Sequence, residues 1–226
     1  MSLEPTLEQR FAEVSERISQ AATQAGRNHS DITTVVVTKF HPATLLRELG
    51  QLGVRHVGEN RHQEAVAKHA ELTECDLTWH FVGQLQSNKA KAVAEYCDAV
   101  HSVDRLSLVT ALSGQPRSID VFVEINLTDV PGRGGVEPDA LEGLAEAVLV
   151  TDNLRLKGVM AVAPQDEDPR AAFERVVEYS ARVRALSPEA DALSIGMSGD
   201  FEEAIAVGAT HLRIGAAITG KRPVAT

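Results

Sequence analysis

The chain is poor in several things at once, and each shortage excludes a class of protein. Of 226 residues only two are cysteine, Cys75 and Cys97, with no CxxC pair. A disulfide framework and a zinc knuckle are therefore not expected, and both residues read as reduced packing positions. Aromatic residues make up only 4%, so the core must come from Val, Leu, Ile and Ala, which suits parallel strands buried on both faces. Positive charge is also in deficit, with a formal net charge of -10. Such a surface repels phosphate backbones and anionic lipid, so neither nucleic acid nor a membrane is an expected partner. The longest unbroken apolar run, Val159 to Ala163, is far short of the roughly 18 residues of a membrane span. Met1 to Arg10 has no apolar signal-peptide core, and the expected location is the cytoplasm.

What remains is a regular alternation. Leu7, Phe11, Val14, Ile18 and Ala22 recur at helical spacing, Thr6 and Gln9 fit a capping box, and Gly26 ends the run. Strand patterns follow at 33–39, 56–60, 78–83, 99–103, 120–126, 156–162, 192–197 and 211–215. Helical patterns fill 42–52, 61–73, 87–95, 104–113, 138–150, 169–186 and 200–207, with only a short turn after the last strand. Eight strands separated by helices, with one leading helix, predict a single (β/α)8 TIM barrel over residues 1–226; an open doubly wound sheet is the runner-up. No repeat or linker divides the chain. The loop from Thr128 to Gly135 is rich in glycine and is either a cover over a ligand or an idle surface loop.

Barrel active sites form at the C-terminal ends of the strands, and phosphate often sits after strands seven and eight. Lys39 ends the first strand pattern just before Phe40-His41-Pro42, where an amine is a carbonyl-trapping candidate. Ser198 and Gly199 open the helix after strand seven, and Gly215 with Ala216 follows strand eight, so their backbone N–H groups suit an anion. Each has a plainer reading: a surface lysine, a helix cap, a chain turn. Closure of the barrel favours the shared reading, because it sets strand eight beside strand one. Arg213 lies within strand eight and needs a ligand acceptor or a carboxylate, for which Glu59 or Glu124 is available. An amine, a phosphate cup and an arginine able to face a pyridine nitrogen are the parts that hold pyridoxal phosphate.

Six ordered blocks carry a resemblance over nearly the whole chain: VTK at Val37–Lys39, HVGENRHQE from His56, WHFVGQLQSNK from Trp79, KGVMAV from Lys157, LSIGMSGDFEEAI from Leu193 and RIGAAITG from Arg213. Together they resemble the pyridoxal-phosphate homeostasis proteins, whose barrel is similar to that of alanine racemase. The resemblance implies that Lys39 holds pyridoxal 5'-phosphate as a Schiff base, that Ser198 and Gly215-Ala216 hold the phosphate, and that Arg213 faces the ring nitrogen. It also implies that Asn60 lies beside the cofactor, the alternative being an N-cap with Gln63 completing a capping box. Gly199 is counted with the phosphate residues, while Met160 and His80 line the pocket or simply pack. Ala216 stands where that family carries a threonine, so one phosphate contact is expected from backbone alone.

The implied role is cofactor homeostasis affecting amino-acid and keto-acid metabolism, without fast turnover of its own. Expected partners are the cofactor and pyridoxal-phosphate-dependent apoenzymes, with the chain a monomer or weak dimer. Alanine racemase takes its second acid/base group from a tyrosine on an additional domain, for which a chain ending at Thr226 has no room, and Tyr96 and Tyr179 fall in or beside helices. A low-rate racemase, deaminase or lyase, and a cofactor-independent lyase or isomerase using Lys39, are the rivals. A hydrolase built on Glu59 and Glu124 and a metal site on the eight histidines have less support.

Overall fold

Thr6 accepts a hydrogen bond from the Gln9 backbone and Gln9 returns one from its side chain, so α1 (Leu7–Gln24) starts from a complete capping box and stops before Gly26 at φ +68°. In this computed structural model, residues 4–128, 130 and 132–222 are described. After α1 the chain alternates strand and helix: β1 (Thr33–Val37), α2 (Ala43–Gln51), β2 (His56–Glu59), α3 (His62–Glu71), β3 (Thr78–Phe81), α4 (Ser87–Ala94), β4 (Ala99–Val103) and α5 (Leu106–Leu112). The second half continues with β5 (Ile119–Glu124), α6 (Leu141–Leu149), β6 (Leu154–Met160), α7 (Pro169–Leu186), β7 (Ala192–Ser194), α8 (Phe201–Ala206), β8 (His211–Ile214) and α9 (Ala216–Thr219).

The strands form a closed parallel barrel in sequence order. Closure is made by β8 against β1, with Thr33 opposite His211 and Val36 opposite Ile214. An open sheet is thereby ruled out. Val35, Val36, Val57, Val100, Val121, Val123 and Ile214 are fully buried, as strands covered on both faces require.

Most strands end earlier than their hydropathy suggests. β1 stops at Val37 because Phe40 turns into the left-handed region, and β7 stops at Ser194 two residues before Gly196, at φ +92°. A side chain at Gly196 would meet Ala204 Cβ at 2.7 Å, so the backbone there packs directly on α8. The segment after β8, expected as a turn, is the one-turn helix α9. The leading helix buttresses it: Val14, Ile18, Ala21 and Ala22 are buried, and Arg10 Nε donates to the Ile218 carbonyl at 2.8 Å. Burying Val14 and Ile18 is worth ~1.5–3 kcal/mol each.

The glycine-rich loop after β5 is tied at both flanks, by Asn126 N to the Val136 carbonyl at 2.9 Å and Val136 N to the Glu124 carbonyl at 2.7 Å. Asp129 and Pro131 of that loop lie outside the described residues. Among the described residues, no helix is long and apolar enough to cross a membrane, and no group of His, Cys, Asp or Glu has metal-binding geometry.

Candidate functional site

Lys39 sits in a tight turn beyond β1, half-buried, and its Nζ makes no hydrogen bond or ion pair among the described residues. The turn is held from several sides. His41 N donates to the Thr38 carbonyl at 3.1 Å. Phe40, at φ +68°, carries strain of order ~1–2 kcal/mol. Its N–H donates to Glu64 Oε2 at 3.0 Å, and the Arg61 and Arg222 guanidinium groups stand 5.0 and 4.5 Å from its ring centre. A left-handed phenylalanine gripped in this way fixes where the residue before it is presented.

Beneath the turn lies a buried pair absent from the sequence reading. Lys68 Nζ donates to Glu59 Oε1 at 2.7 Å and to the Thr38 carbonyl at 2.9 Å, while the Thr38 hydroxyl donates to the same Glu59 oxygen at 2.6 Å. Glu59 is 1% exposed, and burial raises its carboxyl above the ordinary range against the opposing pull of Lys68 and Thr38. The signal was present in helix spacing: Lys68 stands three residues after Ala65 and four before Leu72, both buried.

Glu59 is therefore not the partner of Arg213. The arginine is buried and held by carbonyls: Nη1 donates to Ser194 O at 2.6 Å and Ser194 Oγ at 2.7 Å, and Nη2 donates to Ala161 O at 2.9 Å. Burial pushes its guanidinium down to about 10, against the opposing charges of Glu124 and Asp200. Three of five N–H donors are engaged; Nε–H and one Nη2–H have no partner among the described residues. Glu124 is not hydrogen-bonded to Arg213 either. It ends β5 with Oε2 enclosed and without a partner among the described residues, and burial, aided by Asp104, pushes its carboxyl up to about 7.

The two halves of the expected anion cup meet. Ala217 N donates to Ser198 Oγ at 3.5 Å, joining the turn after β7 to the first turn of α9. Gly215 lies against the end of β1, where an added Cβ would touch Val37 Cβ and O at 3.7 Å. The cup thus lies against Val37, two residues before Lys39. Gly199 and Ala216 are exposed beside Ser198 and Gly215, and nothing stands within 4 Å of a Cβ placed on Gly199. One expectation shifts: Ser198 and Gly199 form a turn before α8, whose N-cap is Asp200. That carboxylate accepts from Met197 N at 2.6 Å and makes no cap bond.

Asn60 follows β2 at the same end of the barrel. The N-cap of α3 is Arg61, which makes no side-chain cap bond, so the capping-box alternative for Asn60 and Gln63 falls. Asn60 Oδ1 is buried without a partner among the described residues, and Gly83 presses on the residue so closely that an added Cβ would lie 2.5 Å from the Asn60 carbonyl oxygen. A polar cleft of about 470 Å³ beside it is lined by Arg61, His62, Gln84, Gln86 and Lys89 among others. His80 and Met160 are packed inside the barrel. Met160 packs with Phe122 and Ala192, and both ring nitrogens of His80 are engaged by other imidazoles, His56 at 3.0 Å and His101 at 2.8 Å.

This geometry has counterparts among known proteins. The family model for the alanine racemase N-terminal domain matches residues 11–223. A Pseudomonas aeruginosa pyridoxal phosphate homeostasis protein is 40% identical, over 96% of each chain, and the Escherichia coli K12 protein of that name is 41% identical over 94% of this chain and 95% of its own. The chain belongs to this family. The solved structure of PipY from Synechococcus elongatus, with pyridoxal phosphate bound, is 32% identical and superposes with a TM-score of 0.83 over 95% of this chain and all of its own. Alanine racemase from Corynebacterium glutamicum, at 16% identity and a TM-score of 0.67, shares the barrel over 61% of its length and bears on fold alone.

Proposed function

We propose that the chain binds pyridoxal 5'-phosphate at the C-terminal mouth of the barrel and serves intracellular homeostasis of that cofactor. Lys39 carries the aldehyde as a Schiff base. Ser198, Gly199, Gly215 and Ala216 cradle the phosphate, Arg213 faces the ring nitrogen and Asn60 lies beside the ring. The observation that carries the reading is the seam between β8 and β1, where Gly215 lies so near Val37 that an added Cβ would touch it and where Ala217 N reaches Ser198 Oγ; this supports one small molecule spanning the Lys39 amine, which has no partner among the described residues, and the backbone N–H groups after β7 and β8. The side chains fit such a group. Among the described residues, Arg213 has two unspent donors in a buried position, and Asn60 Oδ1 is a buried acceptor with nothing to accept. Relatives named for pyridoxal phosphate homeostasis and a 32% identical neighbour with that cofactor bound support the same ligand.

When bound, the cofactor supplies an electron sink for carbanions. Arg213, a donor that holds its proton, keeps the pyridine nitrogen in the acceptor form and weakens that sink, which suits storage better than turnover. Apoenzymes that use the cofactor are its recipients, the setting is the cytoplasm and the chain works as a monomer or weak dimer. Borohydride reduction of the purified protein followed by peptide mass spectrometry tests the assignment. A phosphopyridoxyl mass on Lys39, with the visible absorbance abolished by Lys39→Ala, is expected. A colourless protein that refuses added cofactor defeats it.

A slow racemase or lyase is the second reading, and one observation favours it: Glu124 ends β5 with Oε2 buried and no hydrogen-bond partner among the described residues, an environment that raises its carboxyl to about 7. Exchange of the α-hydrogen of an amino acid with deuterated solvent at enzymatic rates, lost in Glu124→Gln, would select that reading.

A further inference from the structure

The barrel interior below the site is filled by polar rings, and these form a chain. His56 Nδ1 lies 3.0 Å from His80 Nε2, His80 Nδ1 lies 2.8 Å from His101 Nε2, and His101 Nδ1 lies 2.8 Å from Ser194 Oγ. The same hydroxyl accepts from Arg213 Nη1 at 2.7 Å. The path crosses from β2 through β3 and β4 to β7 and β8. His80, His101, Ser194 and Arg213 are all buried, and only His56, at the first residue of β2, is partly exposed. The His101 ring is clamped against Phe122, with ring centres 4.2 Å apart and 17° between planes.

We infer that Ser194, His101, His80 and His56 are positioning residues, a one-way hydrogen-bond chain that aims the Arg213 guanidinium at the cofactor ring. This rests on the proposed role of Arg213. The direction follows from donor inventory. Arginine can only donate, so Ser194 Oγ accepts, and its hydrogen has one remaining partner among the described residues, His101 Nδ1. A neutral imidazole accepting at Nδ1 must donate from Nε2, which sets His80 Nδ1 as the acceptor and Nε2 as the next donor, and His56 repeats the pattern. Burial keeps the His80 and His101 rings neutral under ordinary conditions. The reverse orientation would place two donors on Ser194 Oγ and leave its own hydrogen buried without an acceptor, a cost that low-dielectric surroundings enlarge. Ser194 and the Ala161 carbonyl thus hold the buried cation through neutral acceptors, the three imidazoles fix the Ser194 hydroxyl, and no carboxylate is hydrogen-bonded to the guanidinium among the described residues.

The test is long-range nitrogen–proton correlation NMR on the full chain labelled with ¹⁵N-histidine, at about pH 8, where the imidazoles are neutral. Expected for His56, His80 and His101 is protonated Nε2 with bare Nδ1 in all three. Ser194→Ala should erase the fixed tautomer of His101 and shift the visible band of the cofactor-loaded protein, and Ser194→Thr, which keeps the hydroxyl, should restore both. A proton on His101 Nδ1 in the unsubstituted chain overturns the inference without need of any variant. So does Ser194→Ala with both the nitrogen pattern and the band unchanged. Arg213→Lys separates the two levels: a loaded spectrum that ignores it, beside the expected nitrogen pattern, refutes the ring-nitrogen role of Arg213 and leaves the chain's direction standing.

Discussion

Replacing Glu124 by glutamine should stabilise the protein, and should do so only above mildly acid pH. The carboxyl ends β5 with Oε2 enclosed and without a partner among the described residues, and burial pushes it up to about 7 from the ordinary 4.5, with Asp104 adding to the push and Arg213 opposing it. Because the folded value lies above the unfolded one, the native chain holds a proton that the unfolded chain has released. Stability is therefore unaffected below about pH 4.5, falls as pH rises to about 7, and carries the full loss beyond that. At ~1.4 kcal/mol per tenfold displacement of a proton equilibrium, the ceiling is ~3 kcal/mol. Partial solvent access at a half-buried position reduces this to about 2 kcal/mol. Glutamine keeps the shape of the protonated acid and cannot ionise. Guanidinium denaturation should find the two proteins alike at about pH 4.5 and the variant ~2 kcal/mol more stable at about pH 8, with unchanged m-values. A gap of the same size at both pH values, or a variant that is weaker at the higher one, would mean that Arg213 compensates the ionised carboxylate, and the reasoning would fail.

Lys68→Met should cost ~3–5 kcal/mol by stranding Glu59, and adding Glu59→Gln should recover most of the loss; urea melts of the single and double variants that show a loss under ~1 kcal/mol would count against the pair. Gly158→Ala should destabilise by ~3 kcal/mol or more, because the new Cβ would lie 1.9 Å from the Ala192 carbonyl oxygen at φ +150°, and a thermal midpoint within a degree of the parent would contradict this close approach. Phe40→Ala should lose ~1–2 kcal/mol, keeping the left-handed strain while losing both guanidinium contacts, whereas Phe40→Gly should lose less. Equal melting points for the two Phe40 variants would mean that the backbone there is unstrained.

How much of this was legible beforehand depends on whether a residue acts through its neighbours in sequence or through neighbours across the barrel. The alternation of apolar runs gave all eight strands and the seven helices between them, and Thr6 with Gln9 gave the start of α1, since capping and burial periodicity are local. Strand ends were overextended by two or three residues at Lys39 and Met197, because hydropathy continues into a turn that only backbone conformation reveals. The approach of Ser198 to Ala217 reflects the pairing of β7 with β8, which the strand order in sequence already implies, and closure adds β1 beside them. Partner choice did not follow. Glu59 is an equal candidate for Arg213 in sequence, and Lys68, nine residues on in the helix that follows β2, takes it instead. Of the interior histidines only His80 attracted notice, because a chain linking β2, β3, β4 and β7 has no sequence spacing to betray it.

The two lysines flanking Thr38 show how the fold selects one amine over another. Lys68 reaches the Thr38 carbonyl from below and has two of its donors committed to that oxygen and to Glu59, whose other donor among the described residues is the neutral Thr38 hydroxyl. Releasing it for attack on a carbonyl would leave the Glu59 charge buried with no cation beside it, at a cost of several kcal/mol. Lys39, one residue beyond Thr38, has no carboxylate partner among the described residues to abandon, and the strained turn at Phe40 confines it. A nucleophilic amine needs an available lone pair more than it needs proximity. The buried pair thus has a chemical consequence besides its structural one: it commits Lys68 to Glu59, whereas Lys39 at the end of β1 has no ion-pair partner among the described residues, which is the difference the proposed Schiff-base role needs.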